Sequence, residues 1–215
     1  MSIAVNIKTL RERSGAGILD CKKALNESGG DLDAAMDWLR AKGIASAAKK
    51  SGRIASEGLV GSYIHANGKI GVLLEVNCET DFVALNDGFQ DLVRDLAMHI
   101  AASAPEYVSR DEVPSDVADK ERSVQLARTI EEGKPEHIAE KIVEGRMNKW
   151  FQDVCLLEQK YVKDDEKTVE QIVQDSVATI GENIKVRRFS RFVLGEGLEK
   201  RSDDFAAEVA AQVGA

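Results

Sequence analysis

Residues 59–88 read LVGSYIHANGKIGVLLEVNCETDFVALNDG, and this stretch decides the fold. LVGSYIH and IGVLLEVNC flank Ala66-Asn67-Gly68-Lys69. Asn-Gly between two apolar runs is a strong turn signal, so residues 57–78 are predicted to form a β-hairpin. Beyond them, Asn86 is placed to cap a helix. Phe89, Leu92, Val93, Leu96 and Ile100 then recur at i, i+3, i+4, i+7 and i+11, the pattern of one buried helical face, and Pro105 follows its end. At the junction, Asp81 and Phe82 stand side by side where a chain normally turns through solvent. The local pattern alone allows a plain answer. Thr80 or Asp81 is a turn or cap residue, and Phe82 is a staple packed under the next helix.

Toward the C-terminus, residues 116–151 read as a projecting helical hairpin. Leu126 and Ile130 are four apart, as are Ile138 and Ile142, with Gly133 ending one helix and Pro135 starting the next. Thr168 and Gln171 fit a capping box before Val169, Ile172, Val173 and Val177. NIKVRRFSRFVLG (183–195) reads as a third strand whose alternation breaks at Arg187-Arg188. A last helix is expected in residues 196–215, with Phe205, Val209 and Val213 on one side.

Toward the N-terminus, residues 1–44 look like a three-helix unit. Cys21 and Leu25 share a face of the second helix, Asp31 is a good N-cap for the third, and Gly43 is a fitting stop for it. Residues 45–56 read as a linker. From Arg40 to Arg53 there are five basic residues and no acidic one, which suits either a solvated tether or one attracted to an acidic partner. The fold class is therefore α+β: a three-helix unit, a core (57–195) of a small antiparallel three-stranded sheet packed with helices, the projecting hairpin and a C-terminal helix.

Composition limits the function. The chain has 215 residues, a net charge of −8 and 5% aromatics. That charge argues against a general nucleic-acid binder, because phosphate contacts need a basic surface. No apolar run approaches the ~18 residues of a membrane span, and MSIAVNIKTLRERSG lacks a secretory apolar segment, so a cytoplasmic protein is expected. Cys21, Cys78 and Cys155 are odd in number and widely spaced, which fits buried thiols in a reducing compartment. His65, His99 and His137 have no metal-ligand spacing, and no phosphate-binding glycine loop or nucleophile elbow is present. Cys78 near His65 in the hairpin permits a Cys/His nucleophile, a weaker reading than a core cysteine. No cofactor or metal is implied, and the chain reads as one built to touch another protein.

LRERSGAGILDCKKAL, NCETDFVA, KPEHIAEKIVEGRM, IGENIKVRR and DFAAEVAAQV occur in this order. Together they resemble the translation elongation factor Ts family, from the first helix to the C-terminus. The resemblance implies a non-enzymatic guanine nucleotide exchange factor for elongation factor Tu. It also implies a ubiquitin-associated-like N-terminal module. Thr80, Asp81, Phe82 and Val83 match the element that dislodges Mg²⁺ from the partner. Lys8, Arg11, Ile18, Leu19 and Lys22 match positions facing the partner's G domain. His65 matches a contact position in the second core subdomain of long members, and the C-terminal helix with Phe205 and Val209 is expected to pack either on the partner or on the core alone. Long members carry two related core subdomains, whereas this chain has one GSYIHANGKIGV and one TDFV. Short members dimerise, so the resemblance implies a homodimer and a 2:2 complex.

Two further readings compete. An adaptor would bind other proteins through the N-terminal unit alone. A ribosome- or RNA-associated factor would use the basic segment, against the −8 net charge.

Overall fold

The computed structural model describes residues 3–198. In chain order its elements are α1 (Ile3–Ser14), α2 (Ile18–Glu27), α3 (Leu32–Lys50), β1 (Glu57–His65), β2 (Ile70–Cys78), α4 (Asp81–Ala84), α5 (Asp87–Ser103), α6 (Ser115–Glu131), α7 (Glu136–Val154), β3 (Lys160–Tyr161), β4 (Asp164–Thr168), α8 (Val169–Ile180) and β5 (Lys185–Val193). The architecture is α+β, with the expected three-stranded antiparallel sheet in the order β1-β2-β5. The expected C-terminal helix, with Phe205 and Val209, lies outside the described residues.

The sheet is built by the hairpin pattern. His65 pairs with Ile70, leaving the four residues 66–69 as the turn. Alternation sends Val72, Leu74, Val76 and Cys78 into the core, where they meet Phe89, Leu92, Val93, Leu96 and Ile100 of α5 and Val169, Val173 and Val177 of α8. Full burial of each of these larger side chains contributes about 1.5–3 kcal/mol. The alternation of β5 breaks because the register with β2 shifts between Glu75 and Val76, which leaves Arg187 as an extra residue. Thr168 and Gln171 form the capping box that starts α8.

Three local expectations change. α3 does not stop at Gly43 but runs on to Lys50, taking in half of the segment read as a linker. A Cβ on Gly43 would meet Ala178 Cβ at 3.3 Å, so the glycine lets α3 lie against α8. Its helix penalty of about 1 kcal/mol is offset by that packing. The second change is in the α6–α7 hairpin. There the buried residues are Thr129, Ala139, Val143 and Met147, while Ile130 and Ile138 are exposed. Thr129 is accommodated because its hydroxyl donates to the Gln125 carbonyl at 2.7 Å. Third, β3 and β4 form a short two-stranded ladder that polar DDEKT did not announce.

The three-helix unit has its own small core of Leu10, Cys21, Ala24, Leu25 and Ala35. Asp31 caps α3 by accepting the Ala34 N–H at 2.7 Å. No described helix is long and apolar enough to cross a membrane.

Candidate functional site

The corner between β2 and α5 carries TDFV. Thr80 is the N-cap of the one-turn helix α4, its hydroxyl accepting the Val83 N–H at 3.4 Å. Asn86 caps α5 by accepting the Gly88 N–H at 2.9 Å. Two caps so close together force the chain to turn twice, and the residues between them divide. Val83 and Ala84 pack against the core. Phe82, in contrast, is 80% exposed, and Leu85 beside it is also exposed. Phe82 is therefore no staple: it stands out from the corner while Val83 does the packing. Asp81 is exposed as well. An exposed large aromatic ring on an otherwise well-packed domain marks an interaction site more readily than a scattered aliphatic does.

The corner is tied down by charged hydrogen bonds. Glu182 Oε2 accepts the N–H groups of Glu79 and Thr80, each at 3.0 Å. Glu182 Oε1 accepts the Thr80 hydroxyl proton at 2.7 Å. In return, Glu79 Oε1 accepts the Asn183 N–H at 2.7 Å and an Arg53 N–H at 3.3 Å. The Asn183 N–H, helped by Arg53, holds the Glu79 carboxyl below its ordinary range. The buried Cys78 thiol donates to the Thr80 carbonyl at 3.1 Å. Burial, with the charge of Glu182 adding to it, pushes that thiol's pKa up.

The Cys/His nucleophile reading fails on position. Cys78 pairs with Glu57 and His65 pairs with Ile70, at opposite ends of the same ladder. That places them roughly 25 Å apart by strand rise. His65 instead lies against Tyr63, with Nδ1 3.1 Å from the phenol oxygen.

The N-terminal unit presents a second exposed surface. Lys8, Arg11 and Ile18 border one shallow depression between α1 and α2. Leu19 is 82% and Ile18 56% exposed, so both adjacent apolar residues face out. Lys22 is exposed on α2, and Lys8 lies 3.9 Å from Glu12. The basic segment is less free than its composition suggests. Lys42 pairs with Asp20, Lys50 donates to the Ser46 hydroxyl at 3.0 Å, and Arg53 pairs with Glu79. That weakens the RNA-tether reading.

Glu79, Glu182, Asn183 and Leu85 escaped sequence reasoning as site residues. Glu182 and Thr80 are 102 positions apart, so no local pattern joins them. IGENIKVRR stood out as a motif, but a motif does not disclose its partner. Among the described residues, no group of three or more His, Cys, Asp or Glu is placed to hold a metal ion.

The site thus consists of an exposed aromatic corner, pinned by Glu182, on an α+β body, and a second exposed surface on the three-helix unit. The model of the family "Elongation factor TS" matches residues 46–196. Over its full length the chain is 61% identical to elongation factor Ts of Geobacter metallireducens and 60% identical to that of Geobacter sulfurreducens, covering all of each protein. It is 59% identical to elongation factor Ts of Desulforamulus reducens, over 96% of this chain and 95% of that protein. The chain belongs to the elongation factor Ts family of translation factors.

Proposed function

We infer that this chain is the guanine nucleotide exchange factor for elongation factor Tu, acting in the bacterial cytoplasm without catalysing a reaction of its own. The observation that carries the mechanism is the Phe82 ring, 80% exposed on a corner held by Glu182. An exchange factor needs only to bind the nucleotide-free G protein better than the GDP-bound one. Linkage then requires it to weaken GDP binding by the same factor.

Phe82 suits the role of a wedge. A rigid ring entering an apolar slot displaces the neighbouring helix, because packed interiors shift rather than compress. The elements displaced are those supporting the Mg²⁺ site. Mg²⁺ tolerates little departure from octahedral geometry, so a shift of ~1 Å spoils its coordination. Asp81 offers a hydrogen-bond acceptor beside the ring, and Thr80 and Val83 fix its base. Lys8, Arg11, Ile18, Leu19 and Lys22 supply the second contact, with His65 a further contact on the sheet.

The active form we propose is a homodimer in a 2:2 complex. Its support is the sheet face turned away from α5 and α8. Val60, Ile64, Leu73 and Phe192 are all exposed there, around the Glu75–Arg188 pair. A second copy would cover the same face symmetrically.

The test is stopped-flow release of fluorescent GDP from elongation factor Tu with wild type or Phe82→Ala. The reading expects wild type to accelerate release, and the variant to do so far less while still binding nucleotide-free partner. Equal acceleration by both would remove the wedge and leave the N-terminal surface as the source of exchange. No acceleration by either would remove the exchange assignment.

A further inference from the structure

One turn joins three distant segments of the chain. Between α8 and β5, Glu182 holds the β2–α4 corner through both of its oxygens. Asn183, the next residue, is almost fully buried. Its side-chain amide donates to the carbonyls of Ser51 at 3.4 Å and Arg53 at 2.8 Å, just past the end of α3. Its backbone N–H donates to Glu79, which closes the ring of contacts.

This matters because α4 rests on only a partial footing: Val83 and Ala84 lean on the core, and Glu182 fixes the backbone where the turn begins. It is one turn of four residues, far below the length at which a helix stands by itself. No α4 residue is fully buried. Phe82, 80% exposed, gains little from packing, so its direction depends mainly on the backbone beneath it. The N–H groups of Glu79 and Thr80 sit at the start of that turn, and Glu182 satisfies both.

We propose that Glu182 is a positioning residue for nucleotide exchange, which holds the Phe82 ring at a fixed angle to the body. The proposal rests on the reading of Phe82 as the wedge. A ring on a loose turn reorients on contact. A ring on a clasped turn transmits the contact to the partner's packed elements. Loss of the clasp therefore acts on the step in which GDP leaves. It leaves the surface of the N-terminal unit untouched, so docking persists.

Glu182→Ala, Glu182→Gln, Phe82→Ala and the double variant Phe82→Ala/Glu182→Ala are compared with wild type in the full-length protein. The readouts are the saturating rate of fluorescent GDP release from elongation factor Tu, the concentration giving half that rate, and the melting temperature. Glu182→Ala is expected to lower the saturating rate about 10-fold, with less than about 3-fold change in half-saturation. Glu182→Gln keeps one oxygen to accept the two N–H groups and is expected to recover most of the rate. Since Glu182 acts through Phe82, the double variant should be no slower than Phe82→Ala alone.

The proposal is overturned if Glu182→Ala releases GDP at the wild-type saturating rate. It is equally overturned if the alanine change slows wild type and Phe82→Ala by the same factor, or if Glu182→Gln is as slow as Glu182→Ala. Should Glu182→Ala fail to fold, the glutamine variant and Thr80→Val carry the test, because Thr80→Val removes one member of the clasp. A Thr80→Val protein that folds and keeps the full saturating rate would then overturn the proposal. Failure of the underlying reading looks different: Phe82→Ala itself would match wild type, or wild type would not accelerate release at all.

Discussion

Gly61 on β1 lies so close to Val93 on α5 that a Cβ built on the glycine would fall 2.4 Å from Val93 Cγ1. The missing side chain lets the helix seat on the sheet. Gly61→Ala should therefore cost about 1–3 kcal/mol, as overpacking does. On β2, a Cβ on Gly71 would meet the Cδ1 of Ile64 at 3.1 Å, but Ile64 is exposed and free to swing away. Gly71→Ala should stay within about 0.5 kcal/mol of wild type. Urea unfolding of the two variants checks the contrast.

Phe82 separates stability from function. An exposed ring supplies little burial, so Phe82→Ala should unfold in urea within about 0.5 kcal/mol of wild type. Exchange on elongation factor Tu should fall about 10-fold or more in the same preparation. A variant that lost both together would show the ring to be part of the fold.

Leu73 reports on the proposed dimer. It lies on the outer sheet face, opposite Ser62 on one side and Ser190 on the other. Leu73→Glu would bury an unpaired carboxylate in a symmetric interface, a cost of several kcal/mol. Sedimentation velocity should show wild type as a dimer and the variant as a folded monomer. Identical sedimentation of the two would remove this face as the interface.

His99 sets an acid limit on stability. It is fully buried, with Nε2 2.9 Å from Gln159 Oε1 and Nδ1 accepting the Val162 N–H at 3.2 Å. An imidazole accepting from a backbone amide is neutral, since the imidazolium has no acceptor. Burial lowers its pKa below the ordinary 6.5 even though Gln159 opposes the shift. The unfolded chain therefore binds a proton that the folded chain refuses. Stability is full above about pH 6.5 and falls as pH drops below it, by at most about 1.4 kcal/mol per pH unit from this group. His99→Gln should flatten the loss between about pH 6.5 and 5 in thermal melts, whatever its effect at neutral pH.

Thiol labelling should track unfolding. Cys21, Cys78 and Cys155 are all buried and free. Burial, reinforced by Glu158, pushes the Cys155 thiol up to about 11. At pH 8 the native protein should react with a disulfide reagent at less than about a hundredth of the rate in denaturant, because all three thiols are buried and, at Cys78 and Cys155, little thiolate forms. Fast stoichiometric labelling without denaturant would contradict the buried placement.

Much of the chain was legible locally. The hairpin, the apolar face of α5, the caps Asp31 and Asn86, and the capping box of α8 all depend on residues within a few positions of each other. What misled was any position where a distant surface overrides a local rule. Gly43 is a stop signal by propensity, yet α3 passes through it because α8 needs a residue without a side chain there. Ile130 and Ile138 look like a helical core by spacing, but smaller residues face inward where α6 and α7 meet.

The sequence alone determined that an aromatic ring and a carboxylate stand together at a turn, and its motifs identified the family. Only the tertiary structure decided that Phe82 points outward and that Glu182 and Asn183 hold the corner from more than a hundred residues away. The reason is physical. Periodicity and capping act over a turn or two of chain, whereas the direction of an unpacked side chain is set by whichever distant groups satisfy the backbone beneath it.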